Sequence, residues 1–285
     1  MQPNRFRLAI LLASAVIPIS VDANTEIAYG VADFDGPNAC PGPSSHSAHL
    51  FTPAIFNEVF KELKAAGKWS SASVRVNTNV RGSMFTDASR KSTGADSATG
   101  GADSADVFFI HTHGTNNLKS PSARSHLSMG TSEQCRANTE DHMLWNANTD
   151  IAVVKACRSA DREVWLTGAY MKFITPSSSL SVWNGVHGDS SCMITHTFGD
   201  VDDYARSSKQ DGVGENWLDE FYADWVGFDN DDCPVSIVMG DTKDKRNSMF
   251  RFGGWLDRKN TGVKNKSSYF FIADCDPENG IHLPD

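Results

Sequence analysis

"DVFFIHTHG", residues 106–114, and "DIAVVKAC", residues 150–157, decide the fold between them. Each carries four consecutive apolar residues, a run too short for a helix and rich enough in branched and aromatic side chains for a strand. A strand apolar on both faces lies between two layers, as the central parallel strands of an α/β sheet do. Each run then breaks into chemistry-bearing residues: His111, His113 and Gly114 in the first, Cys157 and Arg158 in and just after the second.

Working outward, "IAYGVADF" (27–34), "ASVRVNTNV" (72–80), "LSVWNGVHG" (180–188), "VSIVMG" (235–240) and "SYFFIADC" (268–275) also read as strands. Helical patterns separate them. "TPAIFNEVFKELKAAG" (52–67) sets Ile55, Val59, Phe60 and Leu63 on one face, with Thr52 placed to cap, Pro53 in the first turn and Gly67 at the end. "REVWLTGAYMKF" (162–173) and "GENWLDEFYADWVG" (214–227) read as helices too. Trp217, Phe221 and Trp225 recur at helical spacing and are expected in the core. "SRKSTGADSATGGADSAD" (89–106) is small and polar and reads as a surface loop. The alternation predicts an α/β fold with a mainly parallel sheet. Ligands of such sheets bind outside the carboxyl ends of the strands, where His111, His113, Cys157 and His187 all fall.

Bulk properties narrow the function. Residues 1–23 carry Arg5 and Arg7, an apolar run from Leu8 to Ile19, and a small-residue end at Val21 and Ala23. That is the pattern of a cleaved secretory signal, with one domain following over 24–285 and a secreted or periplasmic product. The apolar run is too short to span a bilayer comfortably, and no membrane association is expected after cleavage. A net charge of −9 and the lack of a basic stripe argue against nucleic acid and anionic membrane surfaces as partners. Six cysteines suit an oxidising compartment. They make three bridges, or two bridges and a spare thiol if one of them is a working nucleophile.

His113 and Cys157 lie 44 residues apart at the ends of two buried strands, and both ends are expected at one edge of the sheet. A histidine there can take the thiol proton, and backbone N–H groups can stabilise an oxyanion. Apolar strand, His-Gly, a gap of a few dozen residues, apolar strand, Ala-Cys: this order resembles that of the caspase-like cysteine peptidases, which include caspases, legumains, clostripain and gingipains. "KACRS" departs from the caspase signature, which has glycine two places after the cysteine. The chain is more closely similar to an uncharacterised family of secreted bacterial proteins with the same core. The likeness runs through "YGVADF", "GGADSADVFFIHTHG", "LWNANTDIAVVKACRSAD", "VWNGVHGDS" and "GENWLDEFYADW". The resemblance implies a caspase-like three-layer sandwich, its mainly parallel central sheet flanked by helices. It implies a peptidase or related acyl-transfer hydrolase acting on a peptide or protein, with His113 as base, Cys157 as nucleophile and a Gly114 N–H near the oxyanion. No cofactor or metal is required.

Other residues and readings stay open. His111 is placed on the substrate side. Trp183 reads as a platform, with His187 and Asp189 near the substrate; by analogy with the superfamily's Arg- or Lys-specific members, Asp189 suits a basic side chain. A zinc hydrolase would use both histidines of H-x-H, with His187, Asp189 or Cys157 as a third ligand. A non-catalytic caspase-like binding protein would keep the scaffold and tie Cys157 into a disulfide. The acidic clusters "DFDG", "GDVDDY" and "DNDDC" lack the spacing of a calcium loop and read as solvated turns.

Overall fold

Five residues of β3 (Val107–His111) and five of β7 (Ile151–Lys155) are buried without exception. Their side chains alternate between two cores, one on each face of the sheet. Phe108, Ile110, Ala152 and Val154 face one core with Trp145 and Trp183. Val107, Phe109, Ile151 and Val153 face the other with Phe56, Phe60 and Trp217. That double burial is the physical reason for the unbroken apolar runs.

The computed structural model describes residues 24–34, 40, 45–119, 123–191, 194–222, 231–255 and 263–285. The expected signal segment, Cys192 and Trp225 lie outside the described residues. In the main sheet β1 (Asn24–Gly30), β2 (Trp69–Val76), β3, β7 and β8 (Val182–His187) run parallel. β9 (Cys233–Gly240) turns antiparallel to β8, and β10 (Lys266–Phe271) antiparallel to β9. The spatial order is β10-β9-β8-β7-β3-β1-β2. α1 (Ala48–Ala65), α3 (Ile194–Ser207), α4 (Val213–Phe221) and α5 (Lys243–Phe252) lie over one face, contributing Phe56, Tyr204, Trp217 and Met249 to its core. The short α2 (Arg162–Leu166) and the segment around Phe85 and Trp145 cover the other. Layers on both faces of a mainly parallel sheet make this an α/β fold. No helix among the described residues is long and apolar enough to cross a membrane.

Three local readings change. The segment between β3 and β7 holds a second sheet, β4 (Gly114–Asn117), β5 (Arg124–Ser128) and β6 (Arg136–Asn138), antiparallel throughout. Its strands are short and mostly polar, so they give no periodic signal. The helix expected over 162–173 stops at Leu166, because Gly168 adopts φ 74° and the chain continues as a 3₁₀ turn. α1 begins four residues before Thr52. The Thr52 hydroxyl donates to the Ala48 carbonyl and contacts the His111 imidazole instead of capping.

Pro53 therefore sits inside the helix, where it has no N–H to give the His49 carbonyl. Gly30, the last residue of β1, packs against that carbonyl. A Cβ at Gly30 would lie 2.0 Å from His49 O, an approach only glycine permits. Gly30→Ala is expected to cost about 1–3 kcal/mol through forced backbone movement. Thermal unfolding checks this: a melting temperature lower by several degrees fits, and an unchanged one contradicts the close approach.

Candidate functional site

The register of β3 against β7 pairs His111 with Lys155. His113 and Cys157 each lie two residues beyond that pair, at the same carboxyl edge of adjacent strands. The two chains stay in contact past the sheet. A Cβ on Gly114 would fall 1.9 Å from the Cys157 carbonyl oxygen and 3.0 Å from its nitrogen, so glycine is what lets the His-Gly turn press on the cysteine.

The turn after β7 is held from several sides. Arg158 takes φ 57°, a left-handed conformation unusual for a residue with a side chain, and its N–H donates to Gly188 O at 2.7 Å. The Ser125 hydroxyl donates to Arg158 O at 2.6 Å. Tyr170 and the Trp183 indole both donate to Ser159 O, at 3.0 and 3.1 Å. The Ser159 hydroxyl donates to Val154 O and receives the Val186 N–H, both at 2.9 Å. The result fixes the Cys157 sulfur, which receives the Ser190 N–H at 3.3 Å. The thiol in turn donates to the Ser190 carbonyl at 3.6 Å, so Ser190 meets the sulfur through both of its backbone groups.

Four histidines gather where α1 meets the carboxyl ends of β1 and β3. His113 is half-buried, its ring centroid 4.7 Å from His49, 5.3 Å from His46 and 5.3 Å from Phe34. His49 is fully buried; its Nδ1–H donates to Val31 O at 2.7 Å, which fixes the tautomer. Burial drives the His49 pKa down to about 3, with the neighbouring His113 pushing the same way. Burial likewise holds the His111 pKa well below the usual histidine range, with His49 and Lys155 adding to it. His111 is only 1% exposed and bonds to Thr52 beneath α1. It does not reach the substrate side expected of it, because α1 extends far enough to cover it.

The residues expected to line a pocket are also committed elsewhere. Trp183 is 0% exposed and packs among Phe108, Trp145 and Phe173, so it offers no face to a ligand. His187 is equally enclosed, its Nε2–H donating to Ile281 O at 2.7 Å and its Nδ1 lying 3.1 Å from Asp161. Burial disfavours its charge, but the Asp161 bond, the Ile281 carbonyl and the charge of Glu163 outweigh this and raise its pKa. Asp189 does lie near Cys157. Its carboxylate accepts from Arg158 Nε at 2.8 Å and from Asn279 at 2.9 Å, so its charge is already met.

Among the described residues the cysteines form two bridges, Cys40–Cys135 and Cys233–Cys275, and Cys157 belongs to neither. The first ties the loop after β1 to the approach to β6, and the second ties β9 to the segment after β10. Among the described residues, two sets of metal-type donors converge: Asp161 with Glu163 and His187, and Asp231 with Cys233 and Cys275. Neither contains His111 or His113. In the first set both His187 nitrogens already have hydrogen-bond partners. In the second the two sulfurs are bonded to each other.

His46 and His49 are the site residues that the strand-end reading missed. Their signal is present as "HSAH" (46–49), an i, i+3 pair that opens an amphipathic helix. It goes unread when the helix is started at Thr52.

The buried histidines have a consequence for stability. A histidine whose folded pKa is depressed stays neutral while its unfolded counterpart takes up a proton. The unfolded state therefore binds more protons between pH 6.5 and about 3, and stability falls as pH falls through that window. His49→Gln is expected to flatten this slope by up to one proton, about 1.4 kcal/mol per pH unit. Urea denaturation at a series of pH values measures it, and a slope unchanged by the substitution contradicts the buried neutral imidazole.

No family model matches the chain, and no curated protein matches it either.

Proposed function

We propose that this protein is an exported thiol-dependent hydrolase of caspase-like architecture, most simply a peptidase, working through a His113/Cys157 dyad. One observation supports this most: adjacent parallel strands deliver both residues to the same carboxyl edge, each two positions past a paired residue of the sheet. The Ser190 N–H at the sulfur and the contact of Gly114 with Cys157 add to it. The caspase-like assignment itself rests on the His-Gly and Ala-Cys turns and on their order along the chain. Two disulfides fit the oxidising compartment that export implies.

In this reading the Cys157 thiolate attacks a peptide carbonyl, forming a carbon–sulfur bond and an oxyanion. The Gly114 N–H stabilises that oxyanion, since the Arg158, Ser159 and Ala160 N–H groups already bond Gly188, Ala156 and Val186. His113, protonated by the thiol, returns the proton to the departing amine as the carbon–nitrogen bond breaks. Water then attacks the thioester, His113 takes its proton, and the carboxylic product leaves with the thiol restored. His46, His49 and Phe34 enclose the His113 ring and limit its rotation. Because Arg158 and Asn279 already bond Asp189, that residue is not assigned a preference for basic substrates.

The test is hydrolysis of a fluorogenic peptide library by the mature, disulfide-intact protein. Cys157→Ala and His113→Ala are each expected to lower kcat/KM by a factor on the order of 10³ or more. His111→Ala acts only through packing and is expected to be milder than His113→Ala. Peptide mapping of the same sample checks the thiol. Activity that survives Cys157→Ala would sink the proposal, as would recovery of a Cys157–Cys192 bridge or a stoichiometric zinc lost on His113→Ala.

A further inference from the structure

β2 is the outermost strand of the main sheet, and most of its residues are at least partly exposed. Ser71, Ser73 and Arg75 alternate along it and share a face. The register sets them beside Thr25, Ile27 and Tyr29 of β1. The segment from Ser97 to Ala105 borders this face and leaves a solvent-open cavity of about 470 Å³, lined by Ser71, Ser73, Arg75, Ser97, Thr99 and Ser104 among others. That size is in the range of small-molecule sites. The segment reads as a surface loop from its composition, and the exposed residues 89–93 and 97–99 agree, while its end is anchored to the core. The Tyr29 hydroxyl donates to Gly100 O at 3.0 Å, and a Cβ on Gly101 would lie 2.2 Å from Asp96 O.

Arg75 is the feature that points to a ligand. Its Nε is buried and has no hydrogen-bond partner, and its guanidinium makes no ion pair among the described residues. Leaving a guanidinium nitrogen buried and unmatched is costly, so a protein that does so gains from any anion that supplies the missing acceptor. The group is also held in place. Gly100 adopts φ 86°, and a Cβ there would sit 2.0 Å from Arg75 Nη2, so the guanidinium packs closely against the glycine. A planar fork of N–H donors matches a phosphate, sulfate or carboxylate in two-point geometry. Of the six hydroxyls in the lining, those of Thr25 and Ser104 donate to Asp106 and Gly101, and those of Ser71, Ser73, Ser97 and Thr99 are placed to donate and accept, which suits a ligand rich in hydroxyls rather than an apolar one.

We infer that this cavity binds a small polyhydroxylated anion of the sugar phosphate, sugar sulfate or uronate class, with Arg75 on the anionic group and the serine and threonine hydroxyls on the sugar ring. The cavity runs along β1 and β2 from Thr25 and Ser71 to Arg75, which the register sets level with Tyr29 and Ile110. His113 and Cys157 lie past the carboxyl ends of β3 and β7 and are not part of its lining, so the inference stands or falls apart from the dyad.

Isothermal titration calorimetry of the mature, disulfide-intact protein provides the test, with glucose 6-phosphate, glucose 6-sulfate and glucuronate as probes against glucose and inorganic phosphate. At least one sugar anion is expected to bind saturably and about tenfold or more tighter than either control, and the tightest of the three identifies the anionic group. Arg75→Gln is expected to weaken that binding at least about tenfold with the melting temperature kept. Gly100→Ala, whose added Cβ displaces Nη2, should weaken it too and serves if Arg75→Gln fails to fold. The inference is overturned if no sugar anion binds, if inorganic phosphate binds as tightly, or if binding survives both substitutions.

Discussion

The pairing of β3 with β7 is the constraint from which the rest of the site follows. Its register sets His111 opposite Lys155, and that single alignment determines that His113 and Cys157 leave the sheet side by side. A shift of one residue would turn one of the two side chains to the other face of the sheet. Register is secured here by burial on both faces, because every residue of both strands is packed. Gly114 then brings the two turns into backbone contact, which no residue with a side chain could do without displacing Cys157.

The region around the dyad is more tightly built than its sequence suggests. Ser125, Tyr170, Trp183 and Ser159 form a hydrogen-bonded frame beneath the Cys157 turn, and all four are buried. Trp183 thus supports the cysteine from below and does not meet substrate beside it. Asp161 plays a comparable part. Fully buried, it accepts from the Gly188 N–H at 2.7 Å and from Asn116, and it lies beside His187, so one carboxylate joins the small sheet, the turn after Cys157 and the end of β8. Under the proposed chemistry a frame of this kind would hold the thiol in fixed geometry, where small misplacements cost rate heavily.

Much of this was legible in the residues. The buried strands, the mainly parallel sheet and the common edge of His113 and Cys157 followed from two apolar runs and what ends them. The misreadings share a cause: short polar elements and hydrogen bonds between distant residues leave no periodic trace. β4, β5 and β6 are of this kind, and so is the Arg158–Asp189 pair, whose members lie 31 residues apart. His111 reads like His113 in isolation. Only the early start of α1, concealed by Pro53, shows that one is sealed and the other half-open. Cys157 was expected to stand outside a pair of bridges if it were a working thiol, and it belongs to neither bridge formed by the described residues.

His113 is proposed to activate Cys157, and the pH dependence of thiol alkylation tests this most directly. Rates of iodoacetamide modification at Cys157 should be compared between the native protein and His113→Ala from pH 6 to 9. A native rate about tenfold or more higher near pH 6 to 7 is expected, with the two curves converging near pH 9, where an ordinary thiol ionises unaided. Superimposable curves, or a Cys157 that resists alkylation until the protein is reduced, would contradict it.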